Sequence, residues 1–179
     1  DLLHPDARSV SADDVSAALL WRSTAPNAHE ARLDAVRDDA NALGFVLAVG
    51  KMDLRRARVP YEMSLKLGSG DAEILARYAQ FVSRFGRYAE ADEAITKSLA
   101  LDPLNGRTFR TNGAINYAAG RYDKAVEELQ KGLKLKPGLG AVRALIGHAL
   151  LMRGDIGAAK ASFEGEKNTL FGLPGIAII

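Results

Sequence analysis

FGRYAEADEAITKSLALDP, residues Phe85–Pro103, returns 34 residues later as AGRYDKAVEELQKGLKLKP, Ala119–Pro137. The register holds throughout: Gly86 answers Gly120, Ala91 answers Ala125, Ile95 answers Leu129, and Pro103 answers Pro137. The same step carries on to Gly154, Ala159 and Phe163. Repetition at a period of roughly 20–50 residues marks an array of small supersecondary units, each of which buries its apolar face only against its neighbours.

Each copy reads as two helices. In the first copy Leu75, Tyr78, Ala79 and Val82 fall at i, i+3, i+4 and i+7, one face of a helix. Gly86 breaks that pattern and supplies the permissive backbone of a tight turn. A second helix follows from near Tyr88, with Ala91, Ala94/Ile95 and Ser98/Leu99 in helical register, and Pro103 closes it. The second copy repeats this with Phe109, Gly113, Asn116, Gly120, Ala125, Leu129, Gly132 and Pro137, the third with Ile146, Gly147, Leu150, Gly154, Ala159 and Phe163. Small residues recur where paired helices cross: Ala79, Gly113 and Gly147, then Ala91, Ala125 and Ala159. Leucine at Ala125 is expected to overpack that crossing, at about 1–3 kcal/mol. Glu128→Gln, read as a solvated position, is expected to change little.

Residues 72–173 resemble three successive tetratricopeptide repeats. The resemblance rests on the repeat length, the small residues, the inter-helix glycine, the aromatic that follows it (Tyr88, Tyr122) and the L-D-P or L-K-P close (Leu101–Pro103, Leu135–Pro137). The chain departs from the family where Leu75, Phe109 and Arg143 replace the usual Trp, at Asn112 and Asn116, and at Phe171, where a closing Pro is due. The resemblance implies an all-α fold, a right-handed superhelical array of antiparallel helix pairs whose inner groove takes a peptide or a partner's surface.

Composition narrows the function classes. A net charge of +2 predicts no dominant attraction to nucleic acid or anionic lipid, so neither partner is expected. The chain has no cysteine, which excludes disulfides, thiolate metal sites and a cysteine nucleophile and fits a reducing, cytoplasmic setting. No apolar run reaches the length of a membrane span. The chain opens without Met and stops inside an apolar stretch, Leu170–Ile179, which reads as a piece of a longer protein.

Upstream, Ser11 and Asp14 form a capping-box-like start for a short helix over Ala12–Arg22 that carries Leu19, Leu20 and Trp21. A long helical segment is expected over Asn27–Val49, then a helix over Leu54–Leu67 capped by Asp53. Pro60 sits inside the latter, and Val59, Tyr61, Met63, Leu65 and Leu67 alternate as a strand would. A helix kinked before Pro60 is preferred, because a lone strand has no sheet to join. Asp71 is the expected cap of the first clear repeat. The expected division is an N-terminal helical segment (1–36), a degenerate repeat-like unit (37–70), repeats at 71–105, 106–139 and 140–173, and a truncated start of a further unit (174–179).

No constellation for chemistry emerges. His4, His29 and His148 lie far apart without metal-ligand spacing, and the G-x-G pairs Gly68/Gly70 and Gly138/Gly140 lack a following G-K-[ST]. Asp38/Asp39 and Glu127/Glu128 read as solvated helical charges. No catalytic residue, metal or cofactor is expected, and the chain is not expected to be an enzyme. Projecting the first helix of each pair into the groove gives Arg77, Gln80 and Arg84, then Arg107, Arg110 and Tyr117, then His148 and Leu151. Arginines there suit carboxylates, so a protein or peptide ligand of acidic character is expected. Within the resemblance, the Lys/Asn set that clamps heat-shock chaperone tails is absent, its places taken by Ala76, Gln80, Thr111, Ala141 and Leu145. The expected role is a protein-interaction scaffold within a larger bacterial signalling or regulatory protein. The alternative is a homodimerisation module using the N-terminal helix and Leu170–Ile179.

Overall fold

A computed structural model describes residues 26–166 together with 172, 174 and 175. The expected Ala12–Arg22 helix lies outside the described residues, as does the apolar tail apart from those last three positions. The described chain is all helix: α1 Pro26–Phe45, α2 Leu54–Leu67, α3 Ala72–Ser83, α4 Tyr88–Leu101, α5 Gly106–Ala118, α6 Tyr122–Leu135, α7 Val142–Arg153 and α8 Ile156–Glu164. No strand occurs among the described residues, and α2 runs through Pro60 without one. No described helix is long and apolar enough to cross a membrane. The boundary expected between residues 36 and 37 falls inside α1, a helix of 20 residues. A π-helical turn, Val46–Gly50, then leads into the α1–α2 connection.

Side chains cap the first helix of the first two repeats. Asp71 Oδ1 accepts from the backbone N–H groups of Glu73 (2.8 Å) and Ile74 (3.1 Å). One repeat on, Asn105 Oδ1 accepts from Arg107 (3.1 Å) and Thr108 (3.2 Å). Each satisfies N–H groups that the first turn leaves without an intrahelical acceptor. In the third copy the cap position is Ala141, in the left-handed region at φ 62° and without a side-chain acceptor. The turns inside the pairs are set by glycine: Gly86, Gly120 and Gly154 have φ of 72°, 74° and 87°, which a side chain would disfavour.

Consecutive helices pack as hairpins, α1 with α2, α3 with α4, α5 with α6 and α7 with α8. Each second helix also meets the next first helix, and α3, α5 and α7 touch in succession to form one row. At the crossings a small residue faces a large one. A Cβ on Gly113 would lie 2.4 Å from Leu129 Cγ, and one on Gly147 would lie 2.6 Å from Phe163 Cε1. The absent methyl makes room for a fully buried side chain, which is why the small residues recur at the repeat period.

Glu128 corrects the reading of Glu127/Glu128 as a solvated pair. Glu127 is exposed, but Glu128 is only 6% exposed and accepts from Asn112 Nδ2 at 2.8 Å and from Lys131 Nζ at 2.9 Å. Asn112 in turn accepts from Asn116 Nδ2, and Asn116 Oδ1 accepts from Arg121 Nε at 2.7 Å. Arg121 forks onto Asp92 of the preceding unit at 2.9 and 2.8 Å. The two asparagines that depart from the family's apolar pattern are thus the middle of a buried polar chain joining α4, α5 and α6.

Tyr78, also buried, donates its hydroxyl to Glu90 Oε1 at 2.5 Å. Burial first and the Glu90 bond second push its pKa up to about 12 from 10.0. A raised folded pKa favours the protonated form, so this contribution is complete below the unfolded value and is lost as pH rises from 10 to about 12. The expected loss over that window is on the order of 2–3 kcal/mol. Thermal melts of the protein and of Tyr78→Phe across pH 9–12 check it: the difference between them should shrink through the window, and a constant difference would rule it out.

Candidate functional site: the groove along the first helices

Four of the eight groove residues expected from sequence meet at one place. Arg77 and Gln80 of α3 and Arg107 and Arg110 of α5 line a cavity of 260 Å³, with Phe45, Glu73 and Ala76 as further walls. The other four do not meet there. Arg84 donates from Nη1 to the Ala48 carbonyl at 3.1 Å, tying α3 to the π-helical turn. Tyr117 packs on Tyr122 with ring centres 5.8 Å apart, and His148 meets Phe163 edge-on at 5.0 Å. Leu151 is half-buried against the core that α7 and α8 share.

The arginines are not equivalent. Arg77 donates to Glu73 Oε1 from Nη2 at 2.5 Å and from Nε at 3.1 Å, so its charge is already answered within the helix. Arg107 is exposed and Arg110 half-buried, and among the described residues neither guanidinium meets a carboxylate. Desolvation, and then the neighbouring Arg107 charge, lower the pKa of Arg110 from its ordinary value. A partly buried cation facing another cation is stabilised by whatever anion comes between them. On the far side of the same two arginines lies a second cavity of 350 Å³, walled by Lys136, Gly138, Leu139 and Gly140. Beyond Arg77 a third, of 390 Å³, reaches Arg37, Asp38 and Asn41 of α1. Neighbouring cavities share wall residues, Glu73 and Arg77 at one end and Arg107 and Arg110 at the other, so the three adjoin in a row.

Sequence reasoning missed Phe45 and Lys136. Phe45, 46% exposed, ends α1, to which the 34-residue register had not been extended as a groove helix. Lys136 lies in the segment that turns from α6 into α7, and it lines a cavity together with Arg107. Among the described residues no group of acidic or histidine side chains could hold a metal ion.

Residues 113–139 match the sequence profile of the tetratricopeptide repeat family. The chain carries a tetratricopeptide repeat. The architecture agrees, because solved structures of tetratricopeptide proteins superpose on most of the chain. Pseudomonas aeruginosa pilF does so with a TM-score of 0.64 and 27% identity, over 74% of this chain and 60% of that one. The present chain therefore spans less than two thirds of that relative. MamA from Desulfovibrio magneticus RS-1, residues 41 to the end, gives a TM-score of 0.59 at 19% identity, covering 85% of this chain and 89% of that one. The second tetratricopeptide domain of human RPAP3, solved in complex with the HSP70 peptide SGPTIEEVD, gives 0.52 at 20% identity, covering 72% and 98%. At such identities the last two speak for the fold alone, a tetratricopeptide-like helical superhelix. No curated protein sequence matches the chain.

Proposed function

We propose that this tetratricopeptide array binds an extended, acidic segment of a partner protein in the groove along α3 and α5. The observation that carries the reading is the pair Arg107 and Arg110, two cations without a carboxylate partner among the described residues, which line two cavities at once. Phe45 beside them offers apolar contact for a neighbouring side chain of the ligand. The RPAP3 domain, similar in fold, binds a peptide with two adjacent glutamates, which lends the reading support. The units proposed are 71–105, 106–139 and 140–173, preceded by a divergent helix pair and acting as a scaffold in a larger signalling or regulatory protein.

A peptide array tests this. Synthetic peptides of about nine residues, at roughly 3.3 Å each, span three helices packed roughly 8–10 Å apart. Probed with the labelled protein, Glu-rich members should bind, and the Arg107→Glu/Arg110→Glu variant should lose them by about tenfold or more. Equal binding by the two proteins would place the function elsewhere. Arg77→Glu should weaken capture less, because Arg77 is already paired to Glu73.

A homodimerisation reading is favoured by one observation, the run of exposed apolar residues Phe45, Val46, Val49 and Met52. A mass independent of concentration in analytical ultracentrifugation would remove it. The N-terminal helix and the stretch Leu170–Ile179, expected to carry self-association, lie outside the described residues apart from positions 172, 174 and 175.

A further inference from the structure

We propose that the cavity between Arg107, Arg110 and Lys136 is a subsite for a phosphorylated serine or threonine of the bound segment. The inference rests on the peptide-binding reading above and specifies which anion the groove prefers.

Three cationic side chains line this cavity and no acidic one does. They arrive from different elements. Arg107 and Arg110 lie one turn apart on α5, and Lys136 directly follows the last residue of α6. Lys136 is held close: a Cβ placed on Gly106, at the start of α5, would lie 3.2 Å from Lys136 Cβ. None of the three forms an ion pair within the described protein, although the helices around them are laced with such pairs: Arg77 with Glu73, Lys97 with Glu93, Lys131 with Glu127. Of the three remaining rim positions, Leu139 is apolar and partly buried, and Gly138 and Gly140 have nothing within 4 Å of where a Cβ would be. That side of the cavity is open backbone.

A single carboxylate entering here answers one charge and leaves two cations facing each other. A phosphomonoester carries about −1.5 to −2 at neutral pH and three acceptor oxygens, enough to bridge two guanidinium forks and an ammonium. Arginine's planar fork matches phosphate geometry, while lysine adds a mobile point charge. The placement also fits a side chain rather than a free ion. The cavity opens off the groove through the arginines it shares with the 260 Å³ cavity. A main chain lying along α3 and α5 would send one side chain between them.

The test takes the tightest Glu-containing peptide from the array and prepares it, fluorescein-labelled, with Glu, Ser or phosphoserine at the acidic position. Anisotropy titrations should give an affinity for the phosphoserine form about tenfold or more above the Glu form, and the Ser form should be weakest. Lys136→Ala and Arg107→Ala alter exposed residues. Both should abolish the preference for phosphoserine over Glu while circular dichroism shows an unchanged fold. If the Glu and phosphoserine forms bind equally, the subsite assignment is wrong and the acidic-peptide reading stands. If no peptide binds, both are wrong. Two further probes set the source of the phosphate. Inorganic phosphate that shifts the Arg110 side-chain resonances at the peptide's own affinity would mean a free-phosphate site. A labelled oligothymidylate that matches the phosphopeptide would mean a nucleic-acid site. Either result overturns the proposal.

Discussion

Replacing Phe163 with alanine is expected to lower the stability of the C-terminal helix pair by about 3–5 kcal/mol, the largest effect of any single substitution considered. Phe163 is 1% exposed and is among the largest fully buried side chains described. Its ring is enclosed by glycines: a Cβ on Gly147 would approach it to 2.6 Å and one on Gly175 to 2.2 Å. His148 closes a further side at 5.0 Å between ring centres. Those glycines cannot grow to fill the vacancy, and helices held at both ends collapse only in part, so the cavity term adds to the lost transfer energy. In a repeat array the damage should stay largely in its own unit. Amide exchange should accelerate across α7 and α8 with α3 and α4 little changed. Leu104→Ala, at a site 74% exposed, should stay within about 0.5 kcal/mol. A Phe163→Ala protein that melts with the parent would mean that the ring is not the packing centre of that pair.

The second large effect is expected at Glu128. Glutamine there is isosteric, but it offers one acceptor and one donor where the site presents two donors, Asn112 Nδ2 and Lys131 Nζ. One donor must then face another, and at least one hydrogen bond of a charged group is lost, at a cost of about 1–3 kcal/mol. Glu127→Gln, one residue away and exposed, should cost less than about 0.5 kcal/mol. Urea denaturation of the two variants side by side measures the contrast. Similar midpoints would mean that the carboxylate is solvated after all. A double-mutant cycle with Asn112→Ala should show coupling, since both ends of that bond lie in one network.

The contrast between these sites shows where sequence reading reached and where it stopped. The helices of the three copies, the crossing residues and the Asp71 cap were legible because each rests on a period or a local pairing rule: apolar spacing, a missing Cβ, an acceptor two or three residues before its donors. The burial of Glu128 was not. Side by side on a helix, Glu127 and Glu128 look alike, and what separates them is the position of Asn112 on a different helix. The groove was legible in the same partial way. Helix projection put Arg77, Gln80, Arg107 and Arg110 on one face, and they line one cavity, yet whether a given arginine is already paired depends on rotamers no periodicity encodes. Tyr117, His148 and Leu151 followed the same projection and turned into packing, because in those units the neighbouring Tyr122 and Phe163 come close enough to claim them.

The fork between Arg121 and Asp92 has no counterpart one step further along. Adding the repeat length puts Val126 where Asp92 stood and Asp155 where Arg121 stood, and Asp155 turns back to Arg153 instead. Tyr88, whose hydroxyl donates to the Ala118 carbonyl at 2.8 Å, likewise reinforces only the earlier joint. Between α6 and α7 the polar tie is Arg153 to Asp123, whose carboxylate is 90% exposed. The two joints are therefore held by different forces, the earlier by charge and hydrogen bonds, the later by a buried apolar core that Ala125, Val126 and Leu129 share with Val142, Ile146 and Ala149. Added salt should loosen the earlier joint and leave the later one unchanged.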